Sequence, residues 1–161
     1  MICADNIRWD KALQQRMGAG TLMIADHLLF SIANFTAGLF PSMKTYIGAQ
    51  VQNVSPPAVW VDFYDQKNSA RLAHESEYSF GVEVTYLPSS TTKNTDELNH
   101  AVFLLLQNLD RLESDVGPFR VYDKDSDITD GLGHVTGMVS VRELTAPDGE
   151  IIQKAQKEVI P

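Results

Sequence analysis

The sequence predicts an α+β fold, a largely antiparallel or mixed β-sheet with a long hairpin and two main helices packed on one face. Two segments carry apolar residues every third or fourth position, as amphipathic helices do. Between them lies a stretch in which β-branched and aromatic residues alternate with polar ones, as in half-buried strands. The order helix, three strands, helix, two strands leaves both helices free to cover one side of a sheet.

Residues 1–22 read as an N-terminal arm or extension. Ile7, Ala12 and Leu13 suggest a short helix that Gly18–Gly20 breaks. The main domain is expected over residues 23–146. Its first helix follows from Ile24, Leu28, Ile32, Phe35 and Leu39, with Thr21 placed to cap its start. Pro41 ends it, because the residue before a proline is pushed out of the α region. "MKTYIG" reads as a strand and "NVSPP" as a turn. "AVWVDFYD", Ala58 to Asp65, reads as the next strand, with Val59, Val61 and Phe63 on one face. "QKNSA" then reads as a polar turn, and "RLAHESEYSFGVEVTYLP" as a long returning strand on which Phe80, Val82, Val84 and Tyr86 share a face.

The polar loop "SSTTKNTDE" ends in a helix signal, with Asn94 as cap and Glu97 three residues later in the arrangement of a capping box. Leu98, Val102, Leu105, Leu109 and Leu112 form the stripe of the second helix, which Gly117-Pro118 is expected to end. "FRVYD" and "GHVTGMVSVREL" read as the last two strands, with the acids Asp123, Asp125 and Asp127 in the connection between them. Residues 147–161 are expected to be a C-terminal tail.

With 161 residues, 43% of them hydrophobic, the chain suits one sizeable core. Its 13 basic and 21 acidic side chains give a net charge of −8, which repels phosphate and argues against a dedicated nucleic-acid binder. A single cysteine, Cys3, excludes an internal disulfide and disfavours a thiolate zinc site. No apolar run approaches the ~20 residues of a membrane span, and the first residues do not resemble a secretory leader. A soluble, intracellular protein is the expectation.

The aspartates of "VYDKDSDITDGLGH" alternate as in a calcium loop. Such a loop needs glycine at its sixth position and glutamate at its twelfth; counted from Asp123 these are Ile128 and His134. Acids at a solvent-facing strand end, followed by an Asp130-Gly131 turn, fit better. No two of His27, His74, His100 and His134 have the spacing of a helical zinc motif. No serine lies in a nucleophile elbow, and no glycine-rich loop joins a strand to a helix. Glu75 and Glu77 share a strand face, where such a pair is more often solvated than catalytic. The chain offers no catalytic set, and neither a metal nor a cofactor is expected.

The run from Met23 to Leu144 resembles the tail terminator (tail completion) proteins of long-tailed phages. The resemblance lies in "LFPSMKTYIG" after the first helix, "VQNVSPPAVWVDF", the aromatic-rich "RLAHESEYSFGVEVTYLPSS", the leucine-rich second helix and the closing "ITDGLGHVTGMVSV". Residues 1–22 depart from the family pattern, and no role is carried over to them. The resemblance implies a structural virion protein rather than an enzyme. It implies a homo-oligomeric ring, expected to be a hexamer, at the head-proximal end of the tail tube. The ring stops tube polymerisation and joins the tail to the head. The implied partners are the tail tube protein and the head–tail connector or stopper, with DNA passing through the lumen without specific binding, no membrane, and assembly in the host cytoplasm. In that light the expected contact surfaces are the hairpin tip, Gln66, Lys67, Asn68 and Arg71, and the loop Ser89, Ser90, Thr91, Thr92 and Lys93. Three rival readings stand beside it: another neck adaptor such as a head–tail stopper, a small hydrolase with a nonstandard site around His74 or His134, and a calcium-stabilised binding module.

Overall fold

The structure is a computed structural model that describes residues 7–8, 15, 20, 22–48, 54–72, 74–89 and 95–144. In chain order the elements are β1 (Ile7–Arg8), α1 (Ile24–Leu39), β2 (Lys44–Ile47), β3 (Ala58–Ala70), β4 (Glu75–Leu87), α2 (Thr95–Asn108), β5 (Arg111–Leu112), β6 (Phe119–Arg120), β7 (Tyr122–Thr129) and β8 (Leu132–Leu144). Six strands form one sheet in the order β1-β2-β3-β4-β8-β7, and β5 and β6 form a separate two-stranded ribbon. The β1–β2 and β2–β3 pairs are parallel. The β3–β4, β4–β8 and β7–β8 pairs are antiparallel. The expected α+β class, with a mixed sheet and a long hairpin, is what forms.

Alternation decides the two faces. Val59, Val61, Val82, Val84, Val135 and Val139 are buried and meet across the strands on one face. Leu28, Ile32, Leu98, Val102 and Leu105 from the two helices join them in a single core, so both helices lie on that face. Burying a side chain of this size stabilises by about 1.5–3 kcal/mol. Gly133 sets how closely α2 approaches β8: a methyl group there would stand 2.7 Å from Cγ2 of Val102. The other face of the sheet carries no helix from the described residues.

Helix α1 starts one residue after Met23, whose backbone N–H donates to the Asp26 carboxylate at 2.9 Å. That bond supplies the first-turn acceptor, whereas the expected cap, Thr21, lies outside the described residues. Phe40 closes the helix end, its N–H donating to Thr36 O at 2.9 Å, so the stop before Pro41 is as expected. No helix among the described residues is long and apolar enough to cross a membrane.

Five expectations are corrected. Ile7 lies in a strand, not a helix. "QKNSA" is not a turn: Gln66 to Ala70 continue β3 in register with β4, down to Ala70 opposite Ser76. The turn lies further on, where Arg71 N–H donates to Glu75 O at 2.7 Å and His74 takes a φ of 61°. His74 is therefore a turn residue rather than a strand residue. Helix α2 stops at Asn108, well before Gly117. Leu109 and Leu112 are buried from beyond its end, continuing the spacing without the helix. Lastly, Asp123, Asp125 and Asp127 lie within strand β7, and the connection to β8 is only the Asp130-Gly131 turn, with φ of 54° and 75°. The expected cap Asn94, the helix expected at Ala12 and Leu13, and the tail 147–161 lie outside the described residues.

Candidate functional site

The face of the sheet away from the helices is polar and acidic. Strand alternation places Asp62, Glu77, Glu83, Asp125 and Asp127 on it, against Lys67 and Arg142. Asp62 stands opposite Glu83, a like-charged cross-strand pair that solvent and neighbours must offset. Trp60 on the same face donates its indole N–H to Gly48 O at 2.7 Å, which ties β3 to the end of β2. Tyr64, exposed at a β-bulge, lies over Gly81 and places its hydroxyl 3.2 Å from the sulfur of Met138.

At the hairpin end the acids are matched by cations. Glu77 accepts a hydrogen bond from the Ser140 hydroxyl at 2.8 Å and is ion-paired with Arg71. The guanidinium of Arg142 lies 3.9 Å from both Glu75 and Glu77. The Ser140 hydroxyl, against some loss of solvation, together with the two arginines holds the Glu77 carboxyl below its ordinary range. Glu75 and Glu77 thus act as a clamp between the hairpin turn and β8. A general acid needs a proton to give, and the surroundings of Glu77 favour its ionised form.

His134 is the most structured of the histidines. Its Nδ1 lies 2.8 Å from Oε1 of Glu83 and 3.3 Å from Oγ1 of Thr85. A catalytic relay needs acid and hydroxyl on opposite ring nitrogens, and here both meet the same one. His74 is at the exposed turn, His100 is exposed on α2, and His27 lines a groove between α1 and Glu113–Asp115, so the fold does not gather the four into a shared site. Among the described residues no group of three or more His, Cys, Asp or Glu is placed to hold a metal ion.

The expected contact residues fall in two places. Gln66, Lys67 and Asn68 are exposed along β3, and Arg71 is exposed just beyond it. Lys67 pairs with Asp65 at 2.9 Å, and that hydrogen bond raises its ammonium above its ordinary range. The tip of the hairpin is Leu72, 91% exposed. Ser89 is exposed, while Ser90, Thr91, Thr92 and Lys93 lie outside the described residues. Glu97 accepts the Tyr86 hydroxyl at 2.9 Å, while Asn94, its expected capping partner, lies outside the described residues. Burial first, and the Glu97 carboxylate second, push that phenol up to about 12. Sequence reasoning missed the acidic face as a unit, although its signal was present: the polar positions of three alternating strands are rich in Asp and Glu.

What the fold defines is a one-sided sheet, helices on one face and an acidic plane on the other. The sequence model of the family described as "Phage tail terminator protein" matches residues 29–150 of this chain, which takes in most of α1, all of α2 and every described strand except β1. No curated protein matches the sequence. One solved structure that matches aligns with 79% of this chain and 92% of its own, at 8% identity and a TM-score of 0.37, a likeness too distant to carry an argument. The chain belongs to the phage tail terminator family. It is a structural component of a phage tail, and its membership matches the resemblance seen in the sequence.

Proposed function

We propose that this protein forms a ring, a hexamer, at the head-proximal end of the tail tube, where it ends tube polymerisation and joins the tail to the head-side connector. The observation that carries this reading is the family match, which runs from α1 through the whole of β8. The physical logic is that of a closed heterologous ring with two unlike ends. One end copies the contacts of a tube subunit, and the other does not, so no further ring of tube adds. The partners are the tail tube protein, the connector or stopper, and other copies of this chain. The acidic face of the sheet suits the wall of a conduit, because negative charge repels DNA phosphates and lets the duplex slide. Assembly takes place in the host cytoplasm and the ring remains in the virion.

Gln66 to Arg71 and Ser89 to Lys93 supply contact surface in this reading, with Lys67 and Arg71 facing acids of a neighbour. Deleting the gene and imaging the particles tests the function. Overlong or unjoined tails are the expected result. Tails of normal length beside heads that leak DNA would assign the chain to the stopper role, and normal, joined tails would end both readings.

A further inference from the structure

The sheet has two open edges that differ in charge: along β3 the acids Asp62 and Asp65 are followed by the cations Lys67 and Arg71, whereas the charges along β7 are mostly acidic. Strand β2 pairs with β3 only from Ala58 to Val61. Beyond that point, among the described residues, no strand pairs with β3 on the side away from β4. The open stretch Gln66–Ala70 is exposed throughout, and Gln66 to Arg71 contains Lys67 and Arg71 but no acid. At the opposite side of the sheet, among the described residues, β7 pairs only with β8, which leaves its outer edge open to them. Strand β7 and its turn carry Asp123, Asp125, Asp127 and Asp130. The one cation of β7, Lys124, is turned away to donate to Leu106 O at 2.7 Å. None of those four aspartates is ion-paired among the described residues. Lys67 and Arg71 have partners of their own, yet their side chains remain 69% and 48% exposed.

We infer that copies of this chain join edge to edge, the open edge of β3 in one copy adding to β7 in the next, so that the sheet runs on from subunit to subunit. The inference rests on the ring reading and names the contact that closes the ring. An unpaired strand edge is a template for another strand, and charge decides which strand it accepts. Two β7 edges repel each other through their aspartates, whereas β7 against β3 sets those aspartates beside Lys67 and Arg71, so the contact is head to tail and not isologous.

Direction and face agree with this. Three antiparallel steps separate β3 from β7, so the two strands run in opposite directions. Rotation about an axis along the strands keeps each strand's direction, and the joint is therefore antiparallel. Lys67, opposite Ser79, and Asp125 and Asp127, opposite Thr136 and His134, lie on the same helix-free face, where cross-strand pairs form. Along the strands Lys67 is level with Ser140 and Asp127 with His134. Bringing them together staggers neighbouring copies by about six residues, roughly 20 Å at ~3.3 Å per residue. Closed sheets take up such a stagger by tilting their strands. In a ring closed with the helix-free face inward, the helices stand outside and the acidic face lines the lumen.

Charge exchange tests this, read by the mass of the purified protein in solution and of the ring on purified tubes. Lys67→Glu with Arg71→Glu, or Asp125→Lys with Asp127→Lys, should each reduce ring formation at least tenfold at fixed concentration. The chain carrying all four changes should restore it. Thermal melting of each monomer checks that the fold is kept. Rings that survive either reversal, or a fourfold variant that melts like the wild type and still fails to assemble, overturn the edge contact while the ring reading stands. A wild-type chain that forms no ring alone or on tubes defeats the ring reading, and this contact with it.

Discussion

At the residue scale, two buried polar groups make opposite demands. Thr45 is fully buried in β2 and its hydroxyl has no hydrogen-bond partner among the described residues. A buried hydroxyl left unmatched costs about 1–3 kcal/mol. Thr45→Val keeps the branched shape that packs beside Val59 and removes the unmatched group. We predict a gain of about 1 kcal/mol, read as a higher urea midpoint at unchanged slope; a loss of stability would show that the hydroxyl is matched in solution. Tyr86 is the converse, a buried phenol matched by Glu97 and stacked edge-on against Phe40 at 5.2 Å. Its folded pKa, about 12, lies above the unfolded value near 10. The fold therefore favours the neutral phenol. The stability this gives is complete below about pH 10 and is lost as pH rises to about 12. Over that window the wild type should fall by about 2–3 kcal/mol relative to Tyr86→Phe. Parallel pH profiles for the two proteins would contradict the assignment.

At the scale of elements, the seating of α2 on the sheet is the sharpest dependence. Gly133 leaves room for Val102, and Leu98 and Tyr86 stand 3.6 and 3.7 Å from the point where a methyl group would project. Gly133→Ala should lift the helix and cost about 1–3 kcal/mol, as overpacked cores do. Adding Val102→Ala should recover part of that loss, and a double-mutant cycle with no coupling would refute the contact. These packed elements were the legible ones. Alternation marked the helix face of β3 and β4, and the three-and-four spacing marked α1 and α2, because burial imposes those periods. Boundaries were less legible where burial did not enforce them. Gln66 to Ala70 are polar and exposed, so their place in a strand depends on pairing with β4, which local pattern does not carry. Leu109 and Leu112 kept the helical spacing after the helix had ended, because the turn beyond it returns them to the same core. The acidic strand β7 was read as a connection for the same reason as Gln66 to Ala70. The candidate site was legible only in part: Lys67 and Arg71 stood out as cations in an acidic chain, but their place on an open edge is a property of the assembled sheet.

At the scale of the whole molecule, the one-sided sheet makes the acidic face a conduit wall in the proposed ring, and the charge of that wall is open to test. Asp62 and Glu83 lie opposite each other on β3 and β4, outside the Gln66–Arg71 stretch that meets β7 in the proposed contact. Substituting them changes the wall while leaving the edge contact alone. Asp62→Lys together with Glu83→Lys replaces a repelling pair of acids by cations that attract phosphate. If the face lines the lumen, particles built with this variant should have tails of normal length and normal joining, since no assembly surface is altered. Their DNA should leave more slowly, and the delay should shrink as salt is raised, because screening weakens the attraction between wall and duplex within a Debye length of about 10 Å at 0.1 M. Asp62→Asn with Glu83→Gln removes charge without adding any, and should give a smaller delay in the same direction. Time-resolved DNA release from purified particles at two salt concentrations measures both. Release at the wild-type rate from intact, lysine-bearing particles would place the acidic face on the outside of the ring, and with it the helices on the inside.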